Sequence, residues 1–236
     1  MSFRAKISAI VATAAICTLL APAALASPGV SHSPVQVTGK QLKGGLLPTS
    51  SFLPGYRVLN SDNSGGKLEH GALFHIPAMA CFKFWSLIGT VGGFGDTAYA
   101  NEAVAAKSPS APVQEIFQQF VSQSASTHAA ATLFAQIGAK YKSCRTATAK
   151  DGSGGTLKET VHSRAVERIG GHQSLLLTEY LTDSKVHGAP LVTVALWTLN
   201  GTDIYMINSQ LLSVHSPKPT LSSLMLKLMP RIRALK

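Results

Sequence analysis

Asn200-Gly201 separates two apolar runs, residues 191–199 and 203–212. An Asn-Gly pair in that setting demands a tight hairpin, because both residues tolerate positive φ at little steric cost. Upstream lie two more β-rich segments, 156–168 and 172–182, joined at Gly170-Gly171. Residues 183–190 connect them to the hairpin. Four successive strands with short joints make an antiparallel meander. Asn208 and Ser209 interrupt the apolar run of the last strand, so one of its faces meets water or a cleft. A helix over 219–235 follows, with Leu221, Leu224, Met225, Leu228 and Ile232 on its apolar face and Pro230 as a kink. The fold class is therefore α+β: an antiparallel β-sheet, its C-terminal part a four-strand meander, with helices packed on one face. A closed β-barrel is the rival architecture, and the long helices argue against it.

The other end of the chain sets the address. Arg4 and Lys6 precede 14 nearly apolar residues, 7–20, and Ala24-Leu25-Ala26 then presents small residues at both positions a signal peptidase reads. The apolar run is shorter than the ~20 residues of a membrane-spanning helix. The reading is a signal peptide over 1–26, cleaved after Ala26, and a secreted protein. An uncleaved N-terminal anchor is the alternative. Ile16 stands before Cys17 where a lipobox needs a small residue, which argues against lipidation. Residues 27–37, rich in Ser, Pro and Val, form a flexible leader. Residues 38–236 are read as a single domain, and none of their apolar runs is long enough to be a stable transmembrane anchor.

Cleavage leaves Cys81 and Cys144, an even pair in an oxidising compartment. They are expected to form one disulfide, closing a 63-residue loop worth roughly 4 kcal/mol in chain entropy. Two buried free thiols are the alternative. With Arg4 and Lys6 gone, 19 basic residues stand against 11 acidic ones, a net charge of +8. That charge favours anionic surfaces such as acidic wall polymers or phospholipid headgroups, and it serves solubility equally. The basic clusters, Lys140-Lys142-Arg145 and Lys227-Arg231-Arg233-Lys236, have no interleaved aromatics, which argues against nucleic acid as a partner.

Between the two ends the pattern is mixed. Thr38 caps a short helix carrying Leu42, Leu46 and Leu47 and ended by Pro48. A strand is expected near 56–59 and a loop over 60–66. Pro77 opens a buried helix to about residue 88, with Cys81 in its first turns. Residues 97–106 read as a strand. Residues 113–121 fit either a helix or a strand. Residues 124–142 have a clear helical period, and Cys144 lies just past them.

These features together resemble the extracellular sensor domain of mycobacterial PknH-type kinases and its stand-alone secreted relatives in actinobacteria. The shared features are Leu46-Leu47-Pro48 with Gly55-Tyr56 following, the Cys81 helix, the Ala-rich helix ending at Cys144, and the four-strand run with Asn200-Gly201 before a terminal amphipathic helix. The resemblance implies helices against an antiparallel sheet and a cleft for an unidentified ligand. It also implies two disulfides, of which this chain can form only one. The chain has no Gly-rich phosphate loop with a following Lys and no HRD or DFG motif, so phosphorylation by this chain is excluded.

No catalytic spacing stands out. Gly152-Ser153-Gly154-Gly155 has loop composition and is no nucleophile elbow. His70 and His75 are five apart, which does not fit a helical zinc pair, and no metal or cofactor is expected. Glu179 is different. In strict alternation it shares a face with Leu175, Leu177 and Leu181. A carboxylate there needs a partner or a shifted pKa, unless a bulge or edge places it in water. Glu179, with the aromatics Tyr180, Trp197 and Tyr205, makes the expected ligand-binding set. The functional reading is a non-enzymatic binding or sensor-like module of the cell envelope, with an unknown small-molecule, lipid or cell-wall ligand. The alternative is a secreted hydrolase of wall or lipid material.

Overall fold

Two meanders run inward from opposite edges of one sheet and meet at its centre. The computed structural model describes residues 36–63, 76, 79–84, 98–106, 115–150, 155–184, 190–211 and 219–236. The expected signal peptide, nearly all of the leader, and half of the helix expected over 77–88 lie outside these residues. Among the described residues, β1 (Tyr56–Asn63), β2 (Ala98–Ala106) and β3 (Ile116–Gln123) form the first meander. The second comprises β4 (Thr146–Lys150), β5 (Thr156–Ile169), β6 (His172–Asp183), β7 (Leu191–Asn200) and β8 (Asp203–Leu211). The order across the sheet is β1-β2-β3-β8-β7-β6-β5-β4, every neighbouring pair antiparallel. β3 and β8 zip the meanders together, with Phe120 opposite Met206 and Gln118 opposite Asn208.

The C-terminal meander matches the expected strands closely, but it is half of a larger sheet. Residues 116–121 of the ambiguous stretch 113–121 belong to β3, and β1 continues through residues expected to loop. β4 was not anticipated: Thr146–Lys150 is a short edge strand without an apolar run. Edge strands at β1 and β4 leave the sheet open, not closed as a barrel. The Gly170-Gly171 turn has both residues at positive φ, 57° and 83°, between paired Ile169 and His172. The second hairpin differs slightly from expectation. Asn200 pairs with Asp203, so Gly201 (φ 64°) and Thr202 form the turn and Asn200 belongs to the strand.

The expectation of helices on one face is overturned. α1 (Gly39–Gly45) and α3 (Leu221–Arg233) cover one face, while α2 (Thr127–Ser143) covers the other. The central strands require this, because apolar residues occupy both faces: Phe117 and Val121 face α1 and α3, while Phe120 faces α2. Leu196 and Trp197 divide likewise on β7. On α2, Ala130, Phe134, Ile137 and Tyr141 recur at helical spacing and form its buried stripe. On α3, Leu224, Leu228 and Ile232 do the same, and Pro230 stands inside the helix on its exposed side. Side-chain caps start each helix: Thr38 and Gln41 form a capping box, and Ser126 and Thr220 accept from the third residue on.

The expected disulfide joins Cys81 to Cys144, with Cα atoms 5.4 Å apart. It ties the helical turn at residues 81–84 to the end of α2, beside an edge-on Phe84–Tyr141 contact at 5.0 Å.

A second tether is polar. Gln119 is fully buried, yet its Oε1 accepts from the Leu47 N–H and its Nε2 donates to the Leu47 carbonyl, both at 2.8 Å. Four residues on, on the same face, Gln123 Oε1 accepts from the Val37 N–H at 2.9 Å. These amides stand in for the strand that the segment 37–47 lacks, so its backbone can be buried without orphaned groups. Gln119→Leu removes both partners of Leu47 at once, and we expect a loss of about 2–4 kcal/mol in urea unfolding. A loss below about 0.5 kcal/mol would contradict this account of the tether.

Candidate functional site

Alternation along four neighbouring strands builds a polar groove. Asn60 and Asp62 on β1 lie opposite Ala103 and Asn101 on β2. Those lie opposite Gln118 and Phe120 on β3, and Ile116 of β3 lies opposite Gln210 of β8. Paired residues share a face, so all project to the side that carries α2. α2 packs against β7 and β8, and the groove lies to the β1 side of it. It encloses about 440 Å³ and is lined by Leu59, Asn60, Ser61, Asp62, Asn101, Ala103, Ile116, Gln118 and Gln210. That volume falls within the roughly 300–1,000 Å³ of small-molecule sites.

The floor of the groove is held by hydrogen bonds. Asn208 Nδ2 donates to Gln118 Oε1 at 3.1 Å, across the β3–β8 seam. Tyr99 Oη donates to Asp62 Oδ2 at 3.0 Å, and the Asn63 N–H donates to Asp62 Oδ1 at 2.7 Å. Asn208 Oδ1 is buried without a hydrogen-bond partner among the described residues. A second, more open depression of about 590 Å³ runs along the outer side of α2, past Thr132, Ala135, Gln136 and Ala139. Lys140 and Ser143 complete its described lining, all of it from the one helix.

The four expected binding residues do not come together. Glu179 and Trp197 lie on the α2 side of the sheet, Tyr180 and Tyr205 on the other. Trp197 is fully buried, edge-on to Phe120 at 6.4 Å. Tyr205 is fully buried in the core under α1 and α3, and its hydroxyl donates to Asp203 Oδ2 at 3.0 Å. Asp203 also forms a 2.8 Å ion pair with Lys236, which anchors the chain terminus. Tyr180 stacks on His162 at 4.7 Å. None of the four lines the groove.

Glu179 does have the environment its position foretold. It is only 6% exposed, and its Oε1 has no hydrogen-bond partner among the described residues. Glu159, on β5, lies opposite Leu181. The two carboxylates are therefore diagonal neighbours on one face, within roughly 7–8 Å. Burial, then the charge of Glu159, push Glu179 up to about 8. Burial pushes Glu159 up to about 7. Burial and both carboxylates hold the Tyr141 hydroxyl well above its usual range, with Trp197 opposing weakly. The β5 bulge at His162 lies just beyond, between Val161 and Ser163, and does not deliver Glu179 to water. Neither carboxylate lines the groove or the depression on α2.

Sequence reasoning missed the groove residues but not their signal. Asn208-Ser209 interrupts an apolar run, as noted above. Gln118-Gln119 does the same in β3. The register places Gln118 against Asn208, so both interruptions mark the same patch.

The fold is similar to the crystal structure of the extracellular domain of PknH from Mycobacterium tuberculosis, at a TM-score of 0.56 and 13% identity, covering 84% of this chain and 97% of that one. At that identity the likeness is one of fold alone. Neither a protein-family model nor a curated protein matches the sequence.

The carboxylate pair makes stability depend on pH. Both folded-state pKa values lie above the ordinary 4.5, so the folded protein keeps protons that the unfolded chain has released. The stability they contribute is complete below about 4.5 and is lost as pH rises towards about 8. We expect wild-type stability to fall by on the order of 3 kcal/mol across that window. Glu179→Gln, which mimics the protonated form, flattens most of the slope and is the more stable protein at the alkaline end. Denaturant unfolding at a series of pH values measures it, and equal slopes in the two proteins would count against the pair.

Proposed function

We propose that this chain is an exported, non-enzymatic ligand-binding module of sensor-like type that works at the cell envelope, with the β1–β8 groove as its binding surface. The observation that carries the reading is the groove itself: polar side chains from four strands converge on a small-molecule-sized space. The likeness in fold to an extracellular domain supports it. So does the disulfide, which suits an oxidising compartment. No helix among the described residues is long and apolar enough to cross a membrane. Export through a leader cleaved after Ala26, and a single sensor-like domain over residues 38–236, belong to the same proposal.

One observation favours a second reading, a hydrolase of wall or lipid material. Glu159 and Glu179 are paired carboxyls with raised pKa values, which is how acid–base catalysts are tuned. Their setting speaks against it. Glu179 is sealed beneath α2 with Tyr141 and Trp197, and a general acid must reach its substrate.

A thermal-shift screen against envelope lipids, glycans and peptides tests the choice. A ligand of the folded state at a hundredfold excess over its Kd adds about 2.7 kcal/mol of apparent stability. We expect such a ligand, and we expect Gln118→Leu to weaken it while Glu179→Gln does not. Turnover of any screened compound, abolished by Glu179→Gln, would establish the hydrolase instead.

A further inference from the structure

We propose that the groove takes a neutral polyhydroxylated ligand, an uncharged oligosaccharide or polyol. This rests on the groove being the binding surface. The polar lining is dominated by carboxamides: Asn60, Asn101, Gln118 and Gln210. A carboxamide offers two donors and a two-lone-pair acceptor in one plane. A sugar hydroxyl needs one of each, so a row of amides matches a row of hydroxyls without any net charge.

The charges exclude other occupants. Among the described residues, the groove lining contains no Lys, Arg or His. From the described lining a phosphate or carboxylate would meet neutral donors and the repulsion of Asp62, with Arg57 standing beyond Ala105 at the rim. In so basic a chain, a described lining without a cation disfavours anions. Among the described lining residues a cation would find a single carboxylate, whose two oxygens already accept from Asn63 and Tyr99. A lipid tail would bury Asn60, Asp62 and Gln210 against hydrocarbon at a cost for each unpaired group.

The remaining lining suits the other side of a sugar. Leu59, 47% exposed, with Ala103 and Ile116, offers apolar surface to the C–H face of a pyranose ring. The donors are also held in place beforehand. Gln118 is 9% exposed, and its Oε1 is engaged by Asn208, which leaves its Nε2 to donate to a ligand oxygen. Just behind it, Asn208 Oδ1 is a buried acceptor with no hydrogen-bond partner among the described residues. Polar groups fixed in this way spare a ligand the entropy of ordering them.

The test is ligand-observed NMR with the secreted protein and neutral gluco-, galacto-, manno- and xylo-oligosaccharides. Matched uronic-acid oligomers and octanoate serve as charged and apolar comparators. We expect at least one neutral series to bind and the comparators to bind more weakly. We expect Asn60→Ala and Gln118→Leu each to weaken binding about five- to tenfold, the worth of one lost hydrogen bond. Asn60 is exposed, so its variant keeps the fold even if the buried Gln118 variant does not. Preferred binding of uronic acids or octanoate, weakened by the same variants, would overturn the ligand class and leave the groove as the binding surface. Failure of every neutral series up to about 10 mM would overturn this proposal. If a ligand from the thermal-shift screen is also indifferent to both variants, the binding-surface reading falls with it.

Discussion

A side chain at the centre of the sheet does the work of a strand. Gln119 binds both backbone groups of Leu47, and Gln123 takes the N–H of Val37. The segment 37–47 crosses one face with only a seven-residue helix of its own. Without the amides, its burial would orphan backbone groups at a cost that its few apolar side chains could not offset. With them, Leu42, Leu46 and Leu47 join Phe117, Val121 and the apolar stripe of α3 in one core. Arg231 Nε completes the layer by donating to the Gly45 carbonyl at 3.1 Å. That face is thereby closed.

On the opposite face, α2 and the disulfide cover β7 and β8, and the groove lies to the side of them. Two kinds of polar residue stand on this face, and they meet different fates. Glu179 is covered and Glu159 is half-buried, and burial raises the pKa of both well above the ordinary range. Gln118 and Gln210 line a space and keep hydrogen-bonding capacity for whatever fills it. Burial in place separates a group that shapes stability from one that can meet a ligand. Residue type alone does not.

This also explains what could be read from the sequence. The C-terminal meander was legible because strict alternation, Gly-Gly and Asn-Gly joints all point one way. The disulfide was legible from counting. β3 was not, because Ile116–Gln123 is buried on both faces and its apolar residues fit two periods at once. β4 escaped because an edge strand of Thr and Ala carries no apolar signal. Glu179 was found because a carboxylate breaks an apolar row. Tyr180, Trp197 and Tyr205 were grouped with it as the sheet's aromatics, yet only Trp197 shares its face, since alternation turns Tyr180 and Tyr205 to the other side. Gln118-Gln119 and Asn208-Ser209 held the better clue, which needs the β3–β8 pairing to be read: Gln118 meets Asn208, while Ser209 turns away and donates to Glu115 at 2.6 Å.

The central claim is that the open groove binds and the buried carboxylate pair supports. Amide hydrogen exchange of the protein, with and without a ligand found by the screen, tests it directly. Ligand protection reports where local opening is suppressed. The account predicts added protection near residues 60–62, 101–103, 116–118 and 208–210, and none around 159 and 179. Protection concentrated on β5 and β6 near Glu159 and Glu179, with the groove strands unchanged, would contradict it.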